Sequence, residues 1–183
     1  MRKWNAFLSA GILLLFFIHA VTGAFQLAGI YPGGSKLLSV LAMIMVIFMA
    51  FHALIGIILT GKTLRALKKA GVSYFRENRL FWARRISGFA VMVLVFFHIA
   101  LFAVSGEEVF RLRFFGEADL VIQLLFLLAV ALHVISNVKP LLISFGIRSL
   151  KDFCADILII LSAILILAGA GFFVYYLRWN AVL

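Results

Sequence analysis

Four histidines, His19, His52, His98 and His133, each stand alone in a run of apolar residues. The run around His98, "GFAVMVLVFFHIALFAVSG" (Gly88–Gly106), contains no charged side chain. An imidazole among hydrocarbon costs free energy unless something partners it, so polar residues at such depth mark functional positions. The chemistry open to a neutral imidazole is metal ligation through one ring nitrogen, or proton movement. Proton pathways recruit intramembrane carboxylates. None lies in the runs that carry the histidines, and Asp156 sits only near the start of a fifth run. Zinc gathers its ligands at one point, whereas these residues sort into two depths. His19 is 15 residues from Trp4 and 12 from Tyr31, and His98 is 13 from Arg85 and 9 from Glu107. His52 is 16 residues from Lys36 and 10 from Lys62, and His133 is 14 from Asp119 and 6 from Lys139. At ~1.5 Å rise per residue the two levels lie on the order of 10 Å apart.

The elements that must position these residues are membrane helices. Of 183 residues, 66% are hydrophobic and 13% charged, with mean hydropathy +1.18, well outside the range of soluble domains. Five apolar runs approach the ~20 residues a bilayer-crossing helix needs: about Ala6–Ile30, Leu37–Thr60, Ile86–Val104, Leu120–Val138 and Phe153–Leu177. Arg2 and Lys3 resemble the start of a signal peptide, but the first run is too long and has no clear cleavage site, so it is read as a helix. The fold class expected is an all-α membrane protein forming a single domain over 1–183. A polar loop is expected from about Gly61 to Arg85. No internal repeat, phosphate loop or nucleotide fingerprint is present, and the single Cys154 excludes an internal disulfide.

The net charge of +10 is a topology signal rather than a nucleic-acid signal, because thirteen of the 17 basic residues fall on one side of the expected membrane. The positive-inside rule puts the N-terminus in the cytoplasm and the C-terminus outside. His19 and His98 then lie nearer the outer face, and His52 and His133 nearer the inner face.

Each level draws its histidines from alternate helices. In an up-down-up-down bundle of the first four helices, such residues face each other across the interior, where bundles build cofactor sites. Two imidazoles at one level suit a flat macrocycle whose iron takes a nitrogen from each. Two levels imply two haem b groups, one held by His19 and His98 and the other by His52 and His133. Gly23 and Gly56, one turn after His19 and His52, leave room for a ring on the same face. The equivalent positions after His98 and His133 are Phe102 and Asn137. Asn137 is a candidate partner for a haem propionate or another helix. Small residues are also common wherever membrane helices pack closely. Four unrelated hydrogen-bonded histidines, or a proton or metal pathway, remain the competing readings of the residues alone.

One histidine on each of the first four of five helices resembles the dihaem cytochrome b anchor of succinate:quinone oxidoreductase and quinol:fumarate reductase. The segment "RRISGFAVMVLVFFH" (Arg84–His98) is similar to the Arg-x-Ser/Thr-Gly stretch that opens a haem-ligating helix there. The resemblance implies a bacterial inner-membrane subunit that docks cytoplasmic flavoprotein and iron–sulfur subunits and relays electrons between them and membrane quinone, menaquinone or ubiquinone. Dicarboxylate chemistry would then belong to a partner. The intramembrane glutamates of some such anchors have no counterpart here: Ala131 stands two before His133, and the connection between helices 1 and 2 carries no acid. A stand-alone membrane haem reductase or a transporter without soluble partners is the alternative.

Two further expectations follow. Lys68, Lys69, Arg76, Arg79, Arg84 and Arg85 border a docking surface for an electron-transfer partner, and Arg84, Arg85 and Ser87 are candidates to meet a propionate or quinone head. Quinone chemistry needs proton donors. The acids Glu107, Glu108, Glu117 and Asp119 on the outer side are the candidate relays to a quinone near the outer haem.

Overall fold

The computed structural model describes residues 1–71, 78–102, 114–147 and 149–181. Five helices account for nearly all of them: α1 (Arg2–Leu27), α2 (Lys36–Lys69), α3 (Arg79–Phe102), α4 (Glu117–Ser144) and α5 (Leu150–Asn180). All five are long and apolar enough to cross a membrane. In hydrocarbon every backbone N–H and C=O must be satisfied internally, which the helix achieves within one segment. The apolar side chains of the outer faces, among them Leu14, Phe51, Phe89 and Ile166, are exposed, as lipid contact requires.

The helices are displaced from the apolar runs, and most overrun them. α1 starts earlier, at Arg2, and ends at Leu27 rather than Ile30, where Gly29 takes φ +77°. α2 continues nine residues beyond Thr60, through Lys62–Lys69, so much of the expected Gly61–Arg85 loop is helical. The straight-chain residues of this extension are good helix formers, and Lys68 and Lys69 sit in the last turn, where cations oppose the helix dipole. α3 starts at Arg79, seven residues before Ile86, with the Asn78 side chain accepting from Phe81 N–H at 3.0 Å.

α4 also passes the expected end at Val138, running through Pro140 to Ser144. Proline has no N–H, so the carbonyl four residues earlier, that of Ser136, loses its helical donor. Arg84 Nε on α3 donates to that carbonyl at 2.8 Å. A charged side chain from the neighbouring helix thus replaces the missing bond and ties α3 to α4.

α5 lies between α1 and α4 and packs closely on both. α1 also packs on α2, and α4 on α3, while α1 and α4 touch more lightly. Small residues permit the α1–α5 approach: a Cβ added at Gly171 would lie 2.9 Å from Ala24 Cα. Buried Leu27, Phe115, Phe172 and Tyr175 form the main apolar cluster, against which Phe102 packs. At the same end Arg178 of α5 donates to the Leu27 carbonyl at 3.0 Å, capping α1.

Candidate functional site

The four histidine rings meet in two pairs. His19 and His98 have ring centres 5.9 Å apart at an interplanar angle of 75°, and His52 and His133 have centres 6.2 Å apart at 82°. The first pair joins α1 to α3 and the second α2 to α4, neither of which is a closely packed helix pair. All four rings are half-buried. No group of three or more His, Cys, Asp or Glu side chains converges among the described residues.

In three of the four, Nδ1 has a polar neighbour within hydrogen-bond distance. Ser9 Oγ donates to the Asn5 carbonyl at 2.8 Å and lies 3.1 Å from His52 Nδ1. A hydroxyl has one proton, so with that proton on the Asn5 carbonyl this oxygen can accept from His52 Nδ1–H. Ser87 repeats the device on α3: its Oγ donates to the Arg84 carbonyl at 3.4 Å and lies 3.3 Å from His133 Nδ1. Gln123 Oε1 can only accept, and it stands 2.9 Å from His98 Nδ1. Each contact fits the tautomer with the proton on Nδ1 and the lone pair on Nε2, the one a metal takes when a second group orients the ring.

Glycines sit where space matters. A Cβ at Gly88 would lie 3.0 Å from His133 Cε1 and 3.2 Å from its Nδ1, so the bare backbone of α3 makes room for that ring. Ser87 and Gly88 of the "RRISG" stretch therefore both serve His133, one by hydrogen bond and one by absence. A Cβ at Gly23 or Gly56 would meet nothing within 4 Å, leaving space on the faces of His19 and His52. Phe102, one turn from His98, turns into the protein: its ring lies 5.1 Å from His98 and 6.0 Å from Phe172.

The other expected residues fall out unequally. Arg84 and Ser87 lie beside the His52–His133 pair, each engaged as described. Asn137 donates to the His133 carbonyl at 2.7 Å and to Ser136 Oγ at 3.3 Å, so its amide is used within α4. Asp119 accepts from Gly116 N–H at 3.0 Å at the start of α4. Glu117 accepts from Tyr176 OH at 3.5 Å. Glu107, Glu108 and Arg76 lie outside the described residues. Arg85 lies over the Phe81 ring at 4.9 Å, and a guanidinium so placed gains a cation–π attraction.

Sequence reasoning missed Gln123 and Ser9. Gln123 was detectable, being the one polar side chain between Asp119 and His133, and it is only 1% exposed. Ser9 gives no such signal, since serine is routinely tolerated in membrane helices by bonding back to its own chain. Comparison of the chain with protein-family models, curated proteins and solved structures finds no match in any of the three.

Proposed function

We propose that this chain is a dihaem cytochrome b that anchors cytoplasmic flavoprotein and iron–sulfur subunits and relays electrons between them and membrane quinone. The observation that carries the reading is the meeting of the four histidine rings in two pairs, three of the four with a polar partner at Nδ1. An imidazole nitrogen bonds a transition metal at about 2.0–2.1 Å, and with roughly 1.1 Å more to each ring centre, two opposed rings lie about 6.3 Å apart. The ring centres lie 5.9 and 6.2 Å apart, near that spacing, which supports the reading.

On this reading His19 and His98 hold the outer haem, and His52 and His133 the inner one, inside an up-down-up-down bundle of α1–α4. Haem supplies one-electron transfer when bound. The chain's own residues fix the rest. Gln123, Ser9 and Ser87 hold three imidazoles in one tautomer, and Gly23, Gly56 and Gly88 keep space beside the rings. The basic termini of α2 and α3, with Lys68, Lys69, Arg79 and Arg85, face the cytoplasm beside the partner. The N-terminus is cytoplasmic and the C-terminus outside, by the charge bias of the connections. Quinone reacts near the outer haem, since electrons from a cytoplasmic partner reach the inner haem first.

The test is an absorption spectrum of the purified chain with haem quantified per protein, followed by single His→Ala replacements. Two haems are expected, with His19→Ala and His98→Ala losing one spectral component and His52→Ala and His133→Ala the other. A colourless protein, or His19→Ala and His52→Ala losing the same component, overturns the assignment. Copurification of flavoprotein and iron–sulfur subunits from the native membrane tests the anchoring role separately.

A further inference from the structure

At the end of the molecule where α1 and α5 begin and α4 finishes, an apolar groove of about 270 Å3 runs along the helices. Ala10, Leu14 and Phe17 of α1, Leu141 and Phe145 of α4 and Ile157 of α5 line it. Leu14 is 63% exposed and Phe145 40%, so the groove opens sideways toward lipid. α1 and α4 touch only lightly, and the Phe7 and Phe145 rings, 5.4 Å apart at 78°, bridge them one turn beyond Ala10. Lys3, Phe7, Ala10, Leu14 and Phe17 recur at spacings of four and three residues and so share one face of α1. Lys3 stands seven residues before Ala10, and Lys151 six before Ile157. At ~1.5 Å per residue, each lysine lies about 10 Å beyond the groove, at the helix ends. Both lysines are exposed. The acid of that turn of α5, Asp152, accepts from Ser149 Oγ at 2.6 Å.

We propose that the groove seats one acyl chain of an anionic phospholipid whose phosphate lies between Lys3 and Lys151. The lining side chains are apolar, so the groove takes hydrocarbon and offers a polar head group nothing. From Lys3 to Phe17 is 14 residues, about 21 Å at ~1.5 Å per residue. That is the depth of one leaflet, half of a bilayer of ~40–45 Å with its head groups. A chain laid from Phe17 past the Phe7–Phe145 bridge therefore brings its head group level with the two lysines. Each basic residue near a membrane surface favours anionic lipid by about fivefold, so the charge at the mouth selects the head group while the groove holds the tail. A helix with its side chains is about 10–12 Å across, too broad to enter between α1 and α4 where those two rings meet. A single hydrocarbon chain is not.

The experiment is native mass spectrometry of the full chain in detergent, titrated with dioleoylphosphatidylglycerol or dioleoylphosphatidylcholine, which share their chains and differ in net charge. One retained phosphatidylglycerol per chain is expected, bound at least about 10-fold more tightly than phosphatidylcholine. Lys3→Gln combined with Lys151→Gln removes that preference and leaves the weaker binding that the chains supply. Lys36→Gln, at the far end of the molecule, leaves both affinities unchanged. Ala10→Trp fills the groove and abolishes retention of both lipids. Leu141→Trp, from the opposite wall, does the same, with helical circular dichroism showing that each variant is folded. Equal affinity for the two lipids, or a preference that survives the double lysine variant, overturns the inference. Phosphatidylglycerol retained by the folded tryptophan variants overturns it too. Displacement by sn-glycerol 3-phosphate, a head group without chains, would make this an anion site independent of the groove, and the proposal falls. None of these outcomes depends on haem, so the dihaem reading is tested apart from them.

Discussion

Gly88→Ala adds one methyl group where α3 passes His133. The new Cβ would stand 3.0 Å from Cε1 and 3.2 Å from Nδ1 of the imidazole. Ordinary carbon contacts begin near 3.5 Å, so the ring must retreat by about half an ångström or α3 must shift. The ring is not free to retreat at no cost, because Ser87, next to Gly88, accepts from the same Nδ1. Cofactor sites must be held within about 0.5 Å of their productive geometry, a limit that this retreat reaches, and loss of an orienting partner on a metal-bound histidine typically costs 10–100-fold in affinity. On the dihaem reading, Gly88→Ala is therefore expected to weaken inner-haem binding by at least about 10-fold, or about 1.4 kcal/mol, with the outer haem unaffected. Gly88→Val should remove the inner haem altogether. The assay is haem retention during dilution into detergent, followed as the two spectral components separately. If both variants kept both components with wild-type retention, the close approach of α3 to His133 would have no bearing on a cofactor and the reasoning would fail.

Arg84→Ala should leave the Ser136 carbonyl without a donor and lower stability by about 1–3 kcal/mol, read as a fall in thermal midpoint in detergent. Pro140→Ala restores the N–H four residues on, so the double variant should recover most of the loss; no recovery would mean that Arg84 acts elsewhere. Gly171→Val pushes a branched side chain against the α1 backbone at Ala24, and overpacking of this kind costs about 1–3 kcal/mol. Its thermal midpoint should fall, whereas Gly71→Ala, at a φ of +67° with nothing within 4 Å, tests backbone strain alone and should cost less.

The spans were legible because the bilayer leaves the chain little choice: an apolar run of this length must close its own hydrogen bonds. Their ends were not, because a helix need not stop where the hydrocarbon does. The basic stretch after Thr60 stays helical on propensity and dipole, and α4 passes Pro140 because Arg84, 56 residues earlier, answers the open carbonyl. No local pattern at Val138 announces that long-range bond. The grouping of His19 with His98 and of His52 with His133 could be read from depth alone, since residues at one level on alternate helices have few other places to point. What orients the rings was harder. Ser87 lies in a motif, but Ser9 looks like any small helix residue, and Gln123, though the one polar side chain of its stretch, has no spacing that ties it to His98 on another helix.

The manner in which α2 and α3 are attached has a consequence for biogenesis. α5, α1 and α4 form a braced keel, while among the described residues α2 packs closely on α1 alone and α3 on α4 alone. Each histidine pair spans from a keel helix to the outlying helix on the opposite flank. A group gripped by both rings of a pair would therefore act as a rivet, and two rivets would lock both outlying helices to the keel. Ligand that binds only the folded form stabilises it by mass action, about 2.7 kcal/mol at a hundred times its dissociation constant. On the dihaem reading, haem supply sets how much of this chain passes membrane quality control, and a cell short of haem would lose the subunit by proteolysis beginning at α2 or α3 rather than accumulate it empty.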